Sequence, residues 1–246
     1  MLRDTLFDQP VFEQGKFCFN KDVVAVFDDM VCRSVPFYHD VLSIMVDIVI
    51  DSFGSKDTIT IYDLGCSTGN FLKCLLSHKH HNSFFINYRG VDSSVEMLKQ
   101  LSLISFDSSR GSLQSIHHDL NHDFKFHSMQ VCLFNLVLQF INPDKRLALL
   151  RQCYRALSKG GFCFVIEKIV CDNHDLQSLF TSQYHRFKEK NGYSKDAIKH
   201  KDRSLHDVLV PFSLDENKQL LIDSGFKVVH PFFQWFNFSG LLAIKE

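Results

Sequence analysis

Apolar positions along this chain alternate between a helical period and a strand period, and that alternation predicts most of its elements. Apolar residues at 23, 24, 26, 27, 30 and 31 trace one helical face from Lys21 onward. Ser34 and Pro36 predict a fresh start, serine as cap and proline in the first turn. The helix that follows carries Val41, Leu42, Ile44, Met45, Ile48 and Val49 to Phe53, with Gly54 as its stop. Before these helices, residues 1–20 read as irregular, punctuated by Pro10 and Gly15. At Thr58 the period becomes two, and Thr58–Tyr62 reads as a buried strand closed by Asp63. Gly65 and Gly69 then open a turn into the helical pattern Phe71, Leu72, Leu75, Leu76.

The same alternation continues. Strands are predicted at Phe84–Val91, closing at Asp92, at Leu113–His117, closing at Asp119, at Gln130–Leu136, ending near Asn135, and at Phe162–Ile166. Helices fall at Val95–Ile104 and Arg146–Leu157, the second opened by Asn142-Pro143 and ended by Lys159-Gly160-Gly161. Strands alternating with helices imply a parallel sheet covered on both faces. From Asp172 to about Val210 the pattern turns polar and helical. A last helix, Leu214–Ser224, stops at Gly225, and Phe226–Phe233 with Phe236–Ile244 reads as an antiparallel hairpin at the sheet edge. With no repeat or linker, the reading is a single domain over 1–246, with a helical cap at 1–55 and a helical insertion at 172–210.

Composition adds bounds. The 246 residues are 45% hydrophobic and 22% charged with a formal charge of −1, which describes a globular protein and offers no global basic field for nucleic acid. The eight cysteines contain no Cys-x-x-Cys and several lie in apolar runs, so reduced thiols and a cytoplasmic setting are expected. The charged N-terminus is unlike a signal peptide. The longest apolar run, Val41–Ile50, is interrupted by Ser43 and Asp47, so no membrane span is expected.

Candidate chemistry gathers at strand ends. In an open parallel sheet, ligands bind beyond the carboxyl ends of the strands near the point where strand order reverses. That rule selects Asp63 with Gly65, Asp92, Asp119 and Asn135. The glycines follow an acidic residue as Gly-x-x-x-Gly rather than the dinucleotide Gly-x-Gly-x-x-Gly, which resembles the first motif of class I S-adenosylmethionine-dependent enzymes. Asp92, 29 residues after Asp63, suits a ribose diol, and Asp119 suits an exocyclic adenine amine. For each of these carboxylates the alternative is a helix cap or an Asx-turn. Asn135 is either a satisfied core amide or a ligand contact. It is not followed by Pro-Pro-aromatic, which argues against a nucleic-acid base methylase.

No catalytic dyad stands out. The pairs His80-His81 and His117-His118 lack ligand spacing, and no metal site is expected. Glu167-Lys168 either reaches the pocket or forms an exposed pair. The basic run His185–Lys190 reads as a solvated helix face, with an RNA or acidic-partner patch as the alternative.

Several stretches together resemble one family. Arg3-Asp-Thr-Leu-Phe7, Asp29-Met30 with Arg33-Ser-Val-Pro36 and Tyr38, Asp63-Leu-Gly-Cys-Ser67, Leu133–Phe140, Lys188 with Asn191-Gly-Tyr-Ser194, and Trp235-Phe-Asn-Phe238 are similar to carboxy-S-adenosyl-L-methionine synthases over nearly the whole chain. The resemblance implies a class I methyltransferase-like (Rossmann-like), mostly parallel seven-stranded sheet with an antiparallel last strand. It also implies conversion of S-adenosyl-L-methionine and prephenate to carboxy-S-adenosyl-L-methionine, phenylpyruvate and water, with hydroxide from prephenate as the base. The product would serve a carboxymethyltransferase partner that modifies wobble uridine in tRNA, and the chain itself would be a homodimer with no direct nucleic-acid or membrane contact.

Carried onto this chain, the implied ligand contacts are Tyr38, Gly65, Cys66, Ser67, Asp92, Ser93, Asp119, Leu120, Asn135 and Arg203, with Tyr38 and Arg203 nearest the transferred carboxylate. The family has Lys-Arg adjacent where this chain reads Lys201-Asp202-Arg203-Ser204. Lys168 or Lys201 would meet the carboxylates of prephenate. Two rival readings are a plain S-adenosylmethionine-dependent small-molecule methyltransferase and an inactive cofactor-binding scaffold for a tRNA-modifying partner.

Overall fold

The structure is a computed structural model that describes residues 2–10, 13–53, 58–80 and 85–246. Seven strands form one sheet: β1 (Thr58–Leu64), β2 (Phe85–Asp92), β3 (Gly111–His117), β4 (Met129–Asn135), β5 (Leu157–Lys168), β6 (Val228–Trp235) and β7 (Phe238–Ile244). Their order is β3-β2-β1-β4-β5-β7-β6. The first five run parallel, and β7 inserts antiparallel between β5 and β6. The helices are α1 (Lys21–Ser34), α2 (Tyr38–Phe53), α3 (Asn70–Ser77), α4 (Val95–Ser102), α5 (Pro143–Ala156), α6 (His174–Lys190), α7 (Lys195–Ser204) and α8 (Leu214–Ser224).

Period two in the strands separates two cores. Ile59 and Ile61, with Leu133 and Phe164, pack beneath α1 to α4. Tyr62 and Leu64, with Phe134 and Val165, face α5 and α8. Local chemistry sets the helix starts. Asn20 caps α1, Asn142 with Pro143 starts α5, and Ser213 and Glu216 form a reciprocal capping box on α8. β1 and β4 are neighbours, so strand order reverses between them and the carboxyl ends of β1, β2 and β4 surround one crevice.

Two local expectations are corrected. Ser34 does not cap α2; it is the buried last residue of α1, and its hydroxyl accepts a hydrogen bond from Lys201 Nζ at 3.3 Å. Gly160 and Gly161 do not end α5, which stops at Ala156, but lie within β5 where its register with β4 shifts. Gly160 has φ +74° there, and its N–H donates to the Lys245 carbonyl at 2.6 Å. Three residues of the sequence reading, Gly54, His81 and Phe84, lie outside the described residues.

Candidate functional site

One cavity opens at the carboxyl edge of the sheet. Tyr38, Gly65, Cys66, Ser67, Asp92, Ser93, Asp119, Leu120 and Asn135 all line it, so nine of the ten residues singled out from the sequence come together. Gly65 has φ +68°, and a Cβ placed on it would stand 2.4 Å from Val137 Cγ2. The turn therefore needs glycine both for its backbone and for the wall packed against it. Ser67 also has a positive φ, and its N–H donates to Asp92 Oδ2 at 2.9 Å.

Asp92 Oδ1 accepts from Ser94 N at 2.8 Å, and burial pushes its carboxyl above the ordinary range. Asp92 lines the cavity, and a carboxylate there suits a vicinal diol. Asp119 forms an Asx-turn, its Oδ1 accepting from Asn121 N at 2.9 Å, and remains half-exposed. Both carboxylates thus make the local turn bonds of the structural reading and also line the cavity. Asn135 ends β4, and its amide has no hydrogen-bond partner among the described residues.

The floor and walls are held from behind. Asp63 accepts from the Tyr88 hydroxyl, yet burial, helped by the Asp92 charge, pushes its carboxyl up to about 7. Asp28 of α1 accepts from Thr68 Oγ1 at 2.5 Å, Asn70 Nδ2 at 2.9 Å and Lys73 Nζ at 3.2 Å, and Asn70 also donates to the Tyr38 hydroxyl at 3.3 Å. This network ties α1 and α2 to the glycine turn. Glu167 is buried, and its carboxylate accepts the N–H groups of Val137, Leu138 and Gln139 at 2.7–3.0 Å, which shapes the wall opposite Gly65.

The other end of the cavity is cationic. Lys168, Lys188 and Lys201 line it together with Tyr184 and Asp202. Burial pulls all three amines below the usual lysine range, that of Lys201 to about 7. Of the pair Glu167-Lys168, only the lysine reaches the pocket.

Arg203 is the expected residue that the structure does not bring to this wall. It is exposed, and its backbone carbonyl receives the Gly15 N–H at 3.1 Å. Two residues apart on a helix are about 200° apart around the axis, so with Lys201 turned into the cavity Arg203 points away. The reading of 185–190 as a solvated face is corrected at one position. Lys188 is 2% exposed, whereas Arg186, Glu189 and Lys190 lie outside. The i,i+4 spacing of Tyr184 and Lys188 was the available signal for that inward face. Phe17 and Phe19 from the irregular N-terminal stretch also cover the cavity, Phe19 meeting Phe140 with ring centroids 5.6 Å apart.

This sheet order and cavity define a class I methyltransferase-like protein. The family model described as "Methyltransferase domain" matches residues 62–165. Solved structures share the fold. The plantazolicin methyltransferase BpumL superposes with TM-score 0.62 at 16% identity over 92% of both chains. Human N-acetylserotonin methyltransferase superposes at 0.57 and 15%, over 90% of this chain and 54% of its own. Two curated relatives are called carboxy-S-adenosyl-L-methionine synthase. That of Desulfotalea psychrophila is 38% identical over 99% of this chain and 97% of its own length, and that of Helicobacter hepaticus is 39% identical over 99% and 100%. The chain belongs to the carboxy-S-adenosyl-L-methionine synthase family.

Proposed function

We propose that this chain makes carboxy-S-adenosyl-L-methionine from S-adenosyl-L-methionine and prephenate, releasing phenylpyruvate and water. The observation that carries the reading is a cavity with acidic groups and a glycine turn at one end and three lysine amines at the other. A plain methyltransferase needs no such cationic end. The glycine cradle, which a Cβ at position 65 would fill, fits the amino-acid part of S-adenosyl-L-methionine, and Asp92 fits its ribose.

When bound, S-adenosyl-L-methionine supplies a methyl group made acidic by the adjacent sulfonium, the site that receives the carboxyl group. The residues of the chain bind and orient around it. Asp92 accepts from ribose hydroxyls, Asp119 and Leu120 bracket the base, and Asp63 with the Gly65–Ser67 turn takes the amino-acid end. The amines of Lys168 and Lys201 hold the carboxylates of the second substrate by charge-assisted hydrogen bonds. Phe17, Phe19 and Phe140 keep water from the reacting groups. Arg203, exposed and absent from the cavity wall, takes no part in binding within its own chain.

The whole chain is read as one catalytic unit that works as a homodimer and supplies its product to a tRNA wobble-uridine carboxymethyltransferase. Mass spectrometry of the nucleoside formed with prephenate tests the reading. A species about 44 Da (one CO2) heavier than S-adenosyl-L-methionine is expected from wild type and should fall at least about tenfold in Lys168→Met, the loss of one charged contact. Methyl transfer with no carboxylated species would favour the methyltransferase alternative.

A further inference from the structure

Three amines and one carboxylate line one part of the cavity wall. Lys188 Nζ donates to Asp202 Oδ1 at 3.1 Å and lies 4.4 Å from the centre of the Tyr184 ring. Lys168 Nζ lies 5.2 Å from the same ring and has no hydrogen-bond acceptor among the described residues. Among the described residues Lys201 Nζ reaches only the Ser34 hydroxyl, at 3.3 Å, and it stands 5.5 Å from the ring of Phe7. Among the described residues, Asp202 is therefore the one carboxylate in ion-pair contact with this group.

The surrounding charges are otherwise engaged. His185 of α6 takes the second oxygen of Asp202 at 3.0 Å. Asp4, whose charge favours ionised Lys201, already accepts from the Tyr193 hydroxyl at 2.5 Å and from Leu6 N. Arg33, which opposes charge on Lys201, is tied to Asp29 at 3.0 Å. Burial disfavours charge on all three amines; the field of Asp202 opposes that tendency at Lys168 and Lys188, and at Lys201 it adds to the larger effect of Asp4. When all three amines are protonated, they and Asp202 together carry two net positive charges, the complement of a dianion.

We infer that Asp202 is the resident counter-ion of this cavity, a positioning residue that pairs with Lys188 and helps to hold the neighbouring amines of Lys168 and Lys201 in their charged form for the carboxylates of a dianionic second substrate. The inference rests on the reading that this substrate is a dicarboxylate. A buried amine with no anion nearby sheds its proton to relieve desolvation. With Asp202 in place, more of the amine charge survives burial before the substrate arrives.

Titration calorimetry from pH 6 to pH 9 tests this, with glutarate as the dicarboxylate probe and S-adenosylhomocysteine as the check that the rest of the cavity is intact. In Asp202→Asn the amide oxygen can still accept from Lys188, so the charge is removed while the hydrogen bond is kept. Asp202 is 39% exposed, so neither this variant nor Asp202→Ser opens a hole in the core. Glutarate affinity should weaken as pH rises in wild type, and in both variants the weakening should begin about half a pH unit lower, or about threefold poorer binding at pH 8. At pH 6 the variants should bind no more weakly than wild type. An unmoved profile would overturn the role of Asp202 and leave the dicarboxylate reading standing. Wild type that binds S-adenosylhomocysteine but not glutarate would overturn both.

Discussion

Replacing Glu167 with glutamine should change stability in a way that reverses with pH. The carboxylate accepts from Val137 N at 2.9 Å, Leu138 N at 2.7 Å and Gln139 N at 3.0 Å, donors at the start of a short 3-10 turn over Leu138–Phe140. Leu136, just before them, has φ +64°, so the bonds also hold a strained backbone in place. In Glu167→Gln the amide oxygen can keep two donors, but its NH2 group then faces the third, and a buried N–H left unmet costs about 1–3 kcal/mol.

Against that cost stands the burial of Glu167. Desolvation pushes its carboxyl from 4.5 to about 8, despite the three N–H donors and the nearby Arg146 charge. The folded-state value is the higher one, so above pH 4.5 the unfolded chain releases its proton first. Native stability then falls by about 1.4 kcal/mol per pH unit until the folded-state value is reached. Between pH 5 and pH 8 this amounts to about 4 kcal/mol, which the glutamine variant escapes. Glu167→Gln should therefore be the less stable protein at pH 5 and the more stable at pH 8. Urea unfolding of both proteins across that range measures the difference directly, with other titrating groups cancelling. A difference that stays constant from pH 5 to pH 8 would show that Glu167 does not lose stability to its raised folded-state value.

The same logic applies to Asp63, whose carboxyl is pushed up to about 7. Asp63→Asn should gain melting temperature relative to wild type as pH rises from 5 to 8, and an equal gap at both ends would count against it. Gly65→Ala should cost about 2–5 kcal/mol, combining a positive-φ penalty of about 1–2 with displacement of Val137. Adding Val137→Ala should restore the packing part of that loss in a thermal melt. A double variant no more stable than the single one would remove Val137 as the cause.

Much of the architecture was legible because it depends on local pattern. Period two at 58–64, glycines at 65 and 69, and a carboxylate or amide closing β2 and β4 give the strand ends, and an open parallel sheet brings those ends together. Asp92 and Asn135 were found this way without any long-range information. Gly160 and Gly161 misled because a glycine pair after a helix has the same sequence signature whether it caps the helix or kinks a strand. Only pairing with β4 and the Lys245 carbonyl distinguishes the two.

Local pattern dictates the sheet, its covering helices and the acidic, glycine-rich end of the cavity, because each follows from neighbours a few residues apart. The cationic end arises from long-range packing. Lys168, Lys188 and Lys201 come from β5, α6 and α7, and which lysine turns inward depends on the rotation of each helix against the sheet. A shift of two residues rotates a side chain through about 200°, enough to put Arg203 in water and Lys201 in the cavity. The engagement of Glu167 with three backbone N–H groups is equally long-range, since the partners lie about 30 residues away and meet it only across the β4–β5 pairing.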